Sequence, residues 1–199
     1  MAAAGRDAGE VAERVAAAMA AQPRARFLPR RARGQAGRDG PVDIGHGQTN
    51  SQPRTVADML GLLDVRPGQH VLDVGSGSAW TTALLAELVG PDGRVLGVER
   101  VPELVESGRE NLARTGLSRA SIRAADPHVL GAPEDAPFDR VLVSAMATRL
   151  PQELVDQLAP GGVLVVPVDG VMTRVALDAD DGPTVTTHGR YLFVPLVGG

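Results

Sequence analysis

The sequence predicts a doubly wound α/β fold: a mostly parallel sheet flanked by helices, with an antiparallel edge strand and helices ahead of it at the N-terminus. Three observations carry this. Short apolar runs alternate with helical patterns between residues 70 and 168, two strand patterns follow one another directly after that, and a glycine-rich stretch follows the first apolar run. Strands alternating with helices of this length imply parallel strands joined by right-handed crossovers.

Residues 8–22 read as a helix, because Val11, Val15 and Met19 recur at four-residue spacing. Residues 23–43, rich in Arg, Gly and Pro, read as irregular. From Val56, "VADMLGLLDV" is helical until "RPG" at 66–68 ends it. "HVLDVG" (70–75) is a buried strand, "WTTALLAELV" (80–89) a helix, and "RVLGVE" (94–99) a second strand after the turn "GPDG". The unit repeats with an amphipathic helix over 102–115 and strands over 120–126 and 139–145. A helix over 151–159 and a fifth strand over 162–168 flank the turn "PGG". "MTRVALDAD" (172–180) and "TVTTHGRYLFVPL" (184–196) around "DGP" read as the antiparallel pair. At 199 residues, 43% of them apolar, the chain suits one core, hence one domain over 1–199, with residues 1–50 leading into a core of 51–199.

A net charge of -4 offers no general attraction to phosphate backbones or anionic membranes, so neither nucleic acid nor membrane is expected as a partner. All twenty basic residues are Arg, which removes lysine Schiff bases and Walker-type phosphate loops. With no Cys, thiol nucleophiles and thiolate metal sites are excluded. The Ala-rich residues 1–22 are interrupted by Glu10, Glu13 and Arg14 and read as a soluble helix rather than a secretion signal. No apolar run approaches the roughly 20 residues that span a bilayer. A cytoplasmic monomer is expected. The Arg-rich segment 24–38 reads as a solvated charge run.

The chemistry concentrates in "DVGSGSAW". In open α/β sheets ligands bind beyond the carboxyl ends of the strands, and this stretch follows the first of them. Gly75 and Gly77 allow a sharp turn and close approach, and the helix start behind Ser76 presents free N–H groups to an anion. Glu99 closes the second strand, where a carboxylate can accept bonds from two ribose hydroxyls. A dinucleotide fingerprint needs a third glycine where Trp80 stands, so the pattern favours S-adenosyl-L-methionine over a dinucleotide. Asp73, inside the first strand, needs partners, most simply N–H groups of the glycine loop or the cofactor's ammonium group. Asp126 reads either as a contact near the adenine or as a turn-forming aspartate before Pro127. His128 and His188 lack partners at metal-ligand spacing, and no metal is expected.

"RFLP" (26–29), "IGHGQTNSQP" (44–53) and "VLDVGSGSAW" (71–80) together resemble protein-L-isoaspartate O-methyltransferases, as do "APFDRVLVSA", "LPQELVDQLAPGGVLVVPV" and "YLFVPL". The likeness spans about residues 26–196 and is specific, because a GQTxSQP element is not general to methyltransferase folds. It implies a Rossmann-like methyltransferase fold, S-adenosyl-L-methionine as cofactor, and isoaspartyl peptides or proteins as substrates in a repair cycle. By the same resemblance "IGHGQTNSQP" is the substrate loop and Ser51 the active-site serine. Gln48 and Thr49 can offer hydrogen bonds to a substrate carboxylate or peptide backbone, while Gly45 and Gly47 let the loop close. Read without the resemblance, Ser51 caps the helix from Pro53 to Leu63. His46 reads as a loop or pocket-wall residue, since a carboxylate already ionised near neutral pH needs no base.

Three positions depart from the family pattern: Ala79 replaces a glycine, "ADP" (125–127) a Gly-Asp-Gly turn, and "ATR" (147–149) an Ala-Pro. Ala79 is tolerable unless its φ must be positive, and Pro127 stiffens its loop. These departures leave two rivals open: an aspartate O-methyltransferase for one dedicated peptide, and a silent binding module of the same fold.

Overall fold

The computed structural model describes residues 2–178 and 182–197, with side chains from residue 8 onward. A helix, α1 (Ala2–Ala21), leads into two 3-10 turns, Arg24–Phe27 and Arg30–Gln35. A hairpin follows, β1 (Val42–Gly45) and β2 (Gln48–Asn50), and then α2 (Pro53–Leu63). The core alternates β3 (His70–Val74), α3 (Trp80–Val89), β4 (Arg94–Glu99), α4 (Pro102–Ala113), β5 (Ala120–Ala124) and β6 (Phe138–Val143). It closes with α5 (Gln152–Val155), β7 (Leu158–Val168), β8 (Val171–Asp178) and β9 (Gly182–Arg190).

Seven strands form one sheet in the order β5-β4-β3-β6-β7-β8-β9. β5 through β7 run parallel, while β8 pairs antiparallel with both β7 and β9, as the consecutive strand patterns predict. From β3 the chain steps outward to β4 and β5, then returns to place β6 on the other side of β3. That reversal leaves a crevice at the carboxyl ends of β3 and β6, where ligands of such sheets bind. Apolar residues on the two sheet faces form separate clusters. One joins α1, α2 and α3 through Val15, Leu60 and Leu85, and the other sits under α5 around Phe138 and Leu154. The Ala-rich N-terminal run belongs to the first cluster, with Val11, Val15 and Ala18 buried.

Several expected boundaries shift for identifiable reasons. The helix expected over 151–159 ends at Val155, because the Gln157 side chain donates to the Glu153 carbonyl at 2.8 Å in place of a backbone N–H. The same amide group accepts from Ala132 N–H at 2.8 Å, so it ties the helix end to the loop before β6. "PGG" is an irregularity inside β7, where pairing jumps from Phe138–Leu158 to Arg140–Val163, rather than a turn ahead of it. The last strand stops at Arg190, and residues 191–197 leave the sheet. Met146 holds this tail by donating to the Val194 carbonyl at 2.8 Å and accepting from Leu196 N–H at 2.7 Å. The expected turn at "DGP" includes residues outside those described. "IGHGQTNSQP" is no irregular loop: it is largely the β1–β2 hairpin, turning through His46 and Gly47, both at positive φ. A His-Gly turn between strands of four and three residues carries little of the usual hairpin signal. Among the described residues no helix is long and apolar enough to cross a membrane.

Candidate active site

The loop between β3 and α3 is built from its own backbone outward. Gly75 and Gly77 adopt φ of 76° and 54°, and Ala79, the residue before α3, adopts φ 68°. The N–H groups of Gly75 and Ser76 both donate to the Val98 carbonyl, at 2.9 and 3.2 Å, which folds the loop back onto the end of β4. Glu99 completes the tie. Its carboxylate accepts Gly77 N–H and Val101 N–H, each at 2.9 Å, so one side chain holds the loops after β3 and β4 together. Glu99 is buried yet lines the cavity. Each carboxylate oxygen accepts one of these bonds and has capacity for a further one.

Asp73 takes a different place from the one expected. Its carboxylate accepts the hydroxyls of Thr81 and Thr82, each at 2.7 Å, rather than loop N–H groups, and the residue does not line the cavity. The reason is geometric: the first turn of α3 passes directly over the end of β3 and brings both threonines within reach. Burial pushes the Asp73 carboxyl up to about 6, against the opposing pull of the two threonine hydroxyls, and Glu99 adds to the rise. Asp73 therefore supports the loop from beneath. Asp126 lines the cavity, and its carboxylate also accepts His128 N–H at 2.8 Å, so it satisfies the turn reading while standing at the mouth.

Across the cavity lies the hairpin. Gln48, Thr49 and Ser51 line the same space of about 500 Å³ as Gly75, Ser76, Gly77 and Glu99. Ser51 does not cap α2: the residue before the helix is Gln52, without a side-chain cap bond. The helix starts at Pro53, whose missing N–H and fixed φ suit the first turn without a cap. His46 lies outside the wall, 4.0 Å from Glu103 at the start of α4.

Three contributors escape a reading of the sequence. Residues 194–197 cross the carboxyl ends of the strands and line the cavity, because the tail that looks like more strand is drawn over the mouth by Met146. Asn50 lines it too and donates to Ser78 Oγ at 3.3 Å, bridging hairpin and loop. Arg24, inside the segment read as solvated, is 5% exposed; Arg26, Arg30, Arg31, Arg33 and Arg38 are exposed as expected. Asn50 stands inside the motif and could be suspected from its position. Nothing in the run of arginines marks Arg24.

A cavity of this size falls within the roughly 300–1,000 Å³ of small-molecule sites. Its donor set, a buried carboxylate with spare lone pairs beside a positive-φ glycine loop, fits a nucleoside that carries a small charged group. Fold and site together define a Rossmann-like α/β protein that binds a nucleoside cofactor in a cavity shared by the glycine loop and the hairpin. Comparison narrows the class. The protein-L-isoaspartate(D-aspartate) O-methyltransferase family matches residues 3–199, and the chain belongs to that family. It is 47% identical to the protein-L-isoaspartate O-methyltransferase of Aeropyrum pernix over 93% of this chain and 73% of that one. Against the Methanopyrus kandleri protein of the same name it is again 47% identical, over 93% and 84%. A Plasmodium falciparum protein described as a protein-L-isoaspartate O-methyltransferase, solved with S-adenosyl-L-homocysteine, superposes with a TM-score of 0.78 at 29% identity, over 92% and 89%.

Proposed function

We propose that this chain is an S-adenosyl-L-methionine-dependent enzyme that methylates the side-chain carboxylate of L-isoaspartyl residues in peptides and proteins. The resulting ester closes to a succinimide whose hydrolysis partly restores normal aspartate. The observation that carries this is the shared cavity: the hairpin bearing Gln48, Thr49 and Ser51 and the loop of Gly75, Ser76 and Gly77 line one space. Family membership gives that pairing its chemistry. We read the whole chain as a single methyltransferase domain that acts as a monomer. We infer that it acts in the cytoplasm.

When bound, the cofactor supplies an activated methyl group on a sulfonium. Glu99 would accept hydroxyls of its ribose, the turn through Gly75, Ser76 and Gly77 would let the cofactor lie close against the backbone, and Asp126 would border its base. Asp73 acts through Thr81 and Thr82. Because an isoaspartyl carboxylate is ionised near neutral pH, the protein has no proton to remove. Its work is alignment and exclusion of water. Ser51, with Gln48 and Thr49, would orient the carboxylate oxygen without stabilising its charge so far that it loses nucleophilicity.

The test is methylation of one peptide in two versions, isoaspartyl and aspartyl, with labelled S-adenosyl-L-methionine. Labelling of the isoaspartyl version alone is expected. Equal labelling of both would defeat selectivity for isoaspartate, labelling of neither with cofactor binding retained would point to an enzyme for one dedicated peptide, and labelling of neither with no cofactor binding to a silent module.

A further inference from the structure

We propose that Arg24 is a positioning residue for the methyl transfer, pinning both feet of the β1–β2 hairpin and the backbone of Ser51 to the wall of the cofactor loop. This rests on the reading above, in which the hairpin presents the substrate.

The geometry is that of a two-sided clamp. Ahead of β1, Arg24 donates from Nη1 to the Arg38 carbonyl at 3.0 Å and from Nη2 to the Gly40 carbonyl at 2.8 Å. At the end of β2, Nε donates to Asn50 Oδ1 at 2.7 Å, and Nη2 to the carbonyls of Asn50 and of the next residue, Ser51, each at 2.9 Å. The guanidinium also lies 5.6 Å from the centroid of Trp80, the first residue of α3. Trp80 is locked in turn, its Nε1–H donating at 2.9 Å to the Gln22 carbonyl two residues before Arg24. Asn50 closes the circuit through Ser78 of the cofactor loop.

The residue type follows from the task. Five donors in one rigid plane can reach two chain segments at once, whereas an ammonium group offers three donors from a single point. Among the described residues the guanidinium donates only to neutral oxygens, with the Asp39 carboxylate as its opposite charge against the cost of burial, and stability alone is a weak reason to bury a charge that way. The hairpin needs such a pin. Strands of four and three residues are marginal by themselves. Its apolar anchorage is a small cluster of Val42 and Ile44 with Leu28, Ala32 and Leu104, apart from the two large clusters.

The test is Arg24→Lys in the full chain. We expect KM for an isoaspartyl peptide to rise about tenfold or more while Kd for S-adenosyl-L-homocysteine stays within about threefold. Amide exchange over 42–50 should quicken about tenfold with α3 unchanged. Parent-like KM and hairpin exchange would overturn the proposal. So would equal loss of peptide and cofactor binding with faster exchange throughout, the signature of a general structural role. Should Arg24→Lys fail to fold, Asn50→Ala removes the Nε acceptor together with the bond to Ser78, and Ser78→Ala removes that bond alone: loosening of 42–50 in the first and not in the second supports the clamp, and parent-like or equal exchange in the two sinks it. An unsubstituted chain that does not methylate isoaspartyl peptide would defeat the functional reading instead, and exchange over 42–50 would still decide whether Arg24 pins the hairpin.

Discussion

The glycine loop after β3 and the β1–β2 hairpin face each other across one cavity, yet they are held by different means. The loop is part of the core: its N–H groups end on Val98 and Glu99, and Asp73, Thr81 and Thr82 support it from within the sheet–helix interface. The hairpin is a surface appendage resting on a small apolar cluster and one buried guanidinium. Two carboxylates express the contrast. Burial drives Asp73 upward, whereas Asp43 on the hairpin is held below the usual carboxylate range, first by Gly45 N–H and then by Arg31. A wall for a cofactor that never varies can be built into the core. The other wall is carried on a short element held by one small apolar cluster and by bonds at its feet.

The sharpest way to break the comparison is to make the two walls collide. Gly77 has φ 54°, and a Cβ there would stand 3.4 Å from Ile44 Cδ1 of the hairpin. Valine would carry two further methyl carbons into that gap. The left-handed conformation itself costs a non-glycine residue about 1–2 kcal/mol, which a fold of ordinary stability survives. Gly77→Val should therefore remain folded but lose S-adenosyl-L-homocysteine affinity by about 100-fold or more, equivalent to about 2.7 kcal/mol. Calorimetric titration checks this, and parent-like affinity would mean that the loop does not approach the ligand closely.

Ser51 tests the hairpin alone. An aspartate there sets a second negative charge near the substrate carboxylate, and two such charges about 4 Å apart at an effective dielectric of about 20 repel by about 4 kcal/mol. Ser51→Asp is expected to cut methylation by about 100-fold or more while cofactor binding and thermal stability persist. Because the serine makes no cap bond, Ser51→Ala should leave stability within about 0.5 kcal/mol of the parent. A fully active Ser51→Asp enzyme would remove Ser51 from the mechanism, and a destabilised Ser51→Ala would restore the capping role.

The same contrast explains what could be read from the chain. The sheet, its antiparallel edge and the glycine loop were legible because apolar alternation, Gly75, Gly77 and Glu99 are local signals that the core reinforces. That Gln48, Thr49 and Ser51 line the same cavity as the glycine loop could be expected only through the family motif. Arg24 was not, because its role depends on carbonyls at positions 38, 40, 50 and 51 that tertiary structure brings together, and one arginine among several looks alike in sequence. Asp73 was placed correctly on its strand but given the wrong partners, since strand position does not say which turn of the next helix will pass overhead.

Within the core-built wall, Asp73 offers a pH test with a definite sign. Its carboxyl rises from 3.8 to about 6 on folding. A raised folded-state value in an acid means that the ionised form is the disfavoured one: the associated stability is complete below about pH 4 and is lost as pH climbs through about 6. About two pKa units correspond to about 3 kcal/mol. Asp73→Asn stays neutral and keeps an oxygen for the threonine hydroxyls, so its advantage over the parent should approach that figure at pH 8 and vanish near pH 4. Denaturant melts at the two pH values measure the difference. An asparagine variant with the same relative stability at both would show that Asp73 does not titrate in this range.

The smallest effect is expected at Ala79, where the chain departs from the glycine of its family. Three contributions compete there. The left-handed φ of 68° costs alanine about 1–2 kcal/mol. Against this, alanine leaves the unfolded chain less freedom than glycine, a gain of about 0.4–1 kcal/mol, and its buried methyl is worth about 0.8 kcal/mol more. Gly108 of α4 makes room for that methyl, since a Cβ at 108 would stand 3.4 Å from it and 2.8 Å from Ile122 Cδ1. The contributions nearly cancel, so Ala79→Gly should change stability by less than about 1 kcal/mol and kcat/KM on an isoaspartyl peptide by less than about threefold. That outcome would make Ala79 a neutral replacement accommodated by the glycine opposite. A tenfold gain in kcat/KM from Ala79→Gly, about 1.4 kcal/mol of transition-state stabilisation, would instead mean that the alanine holds the cofactor loop away from its best geometry, and that the departure shapes activity after all.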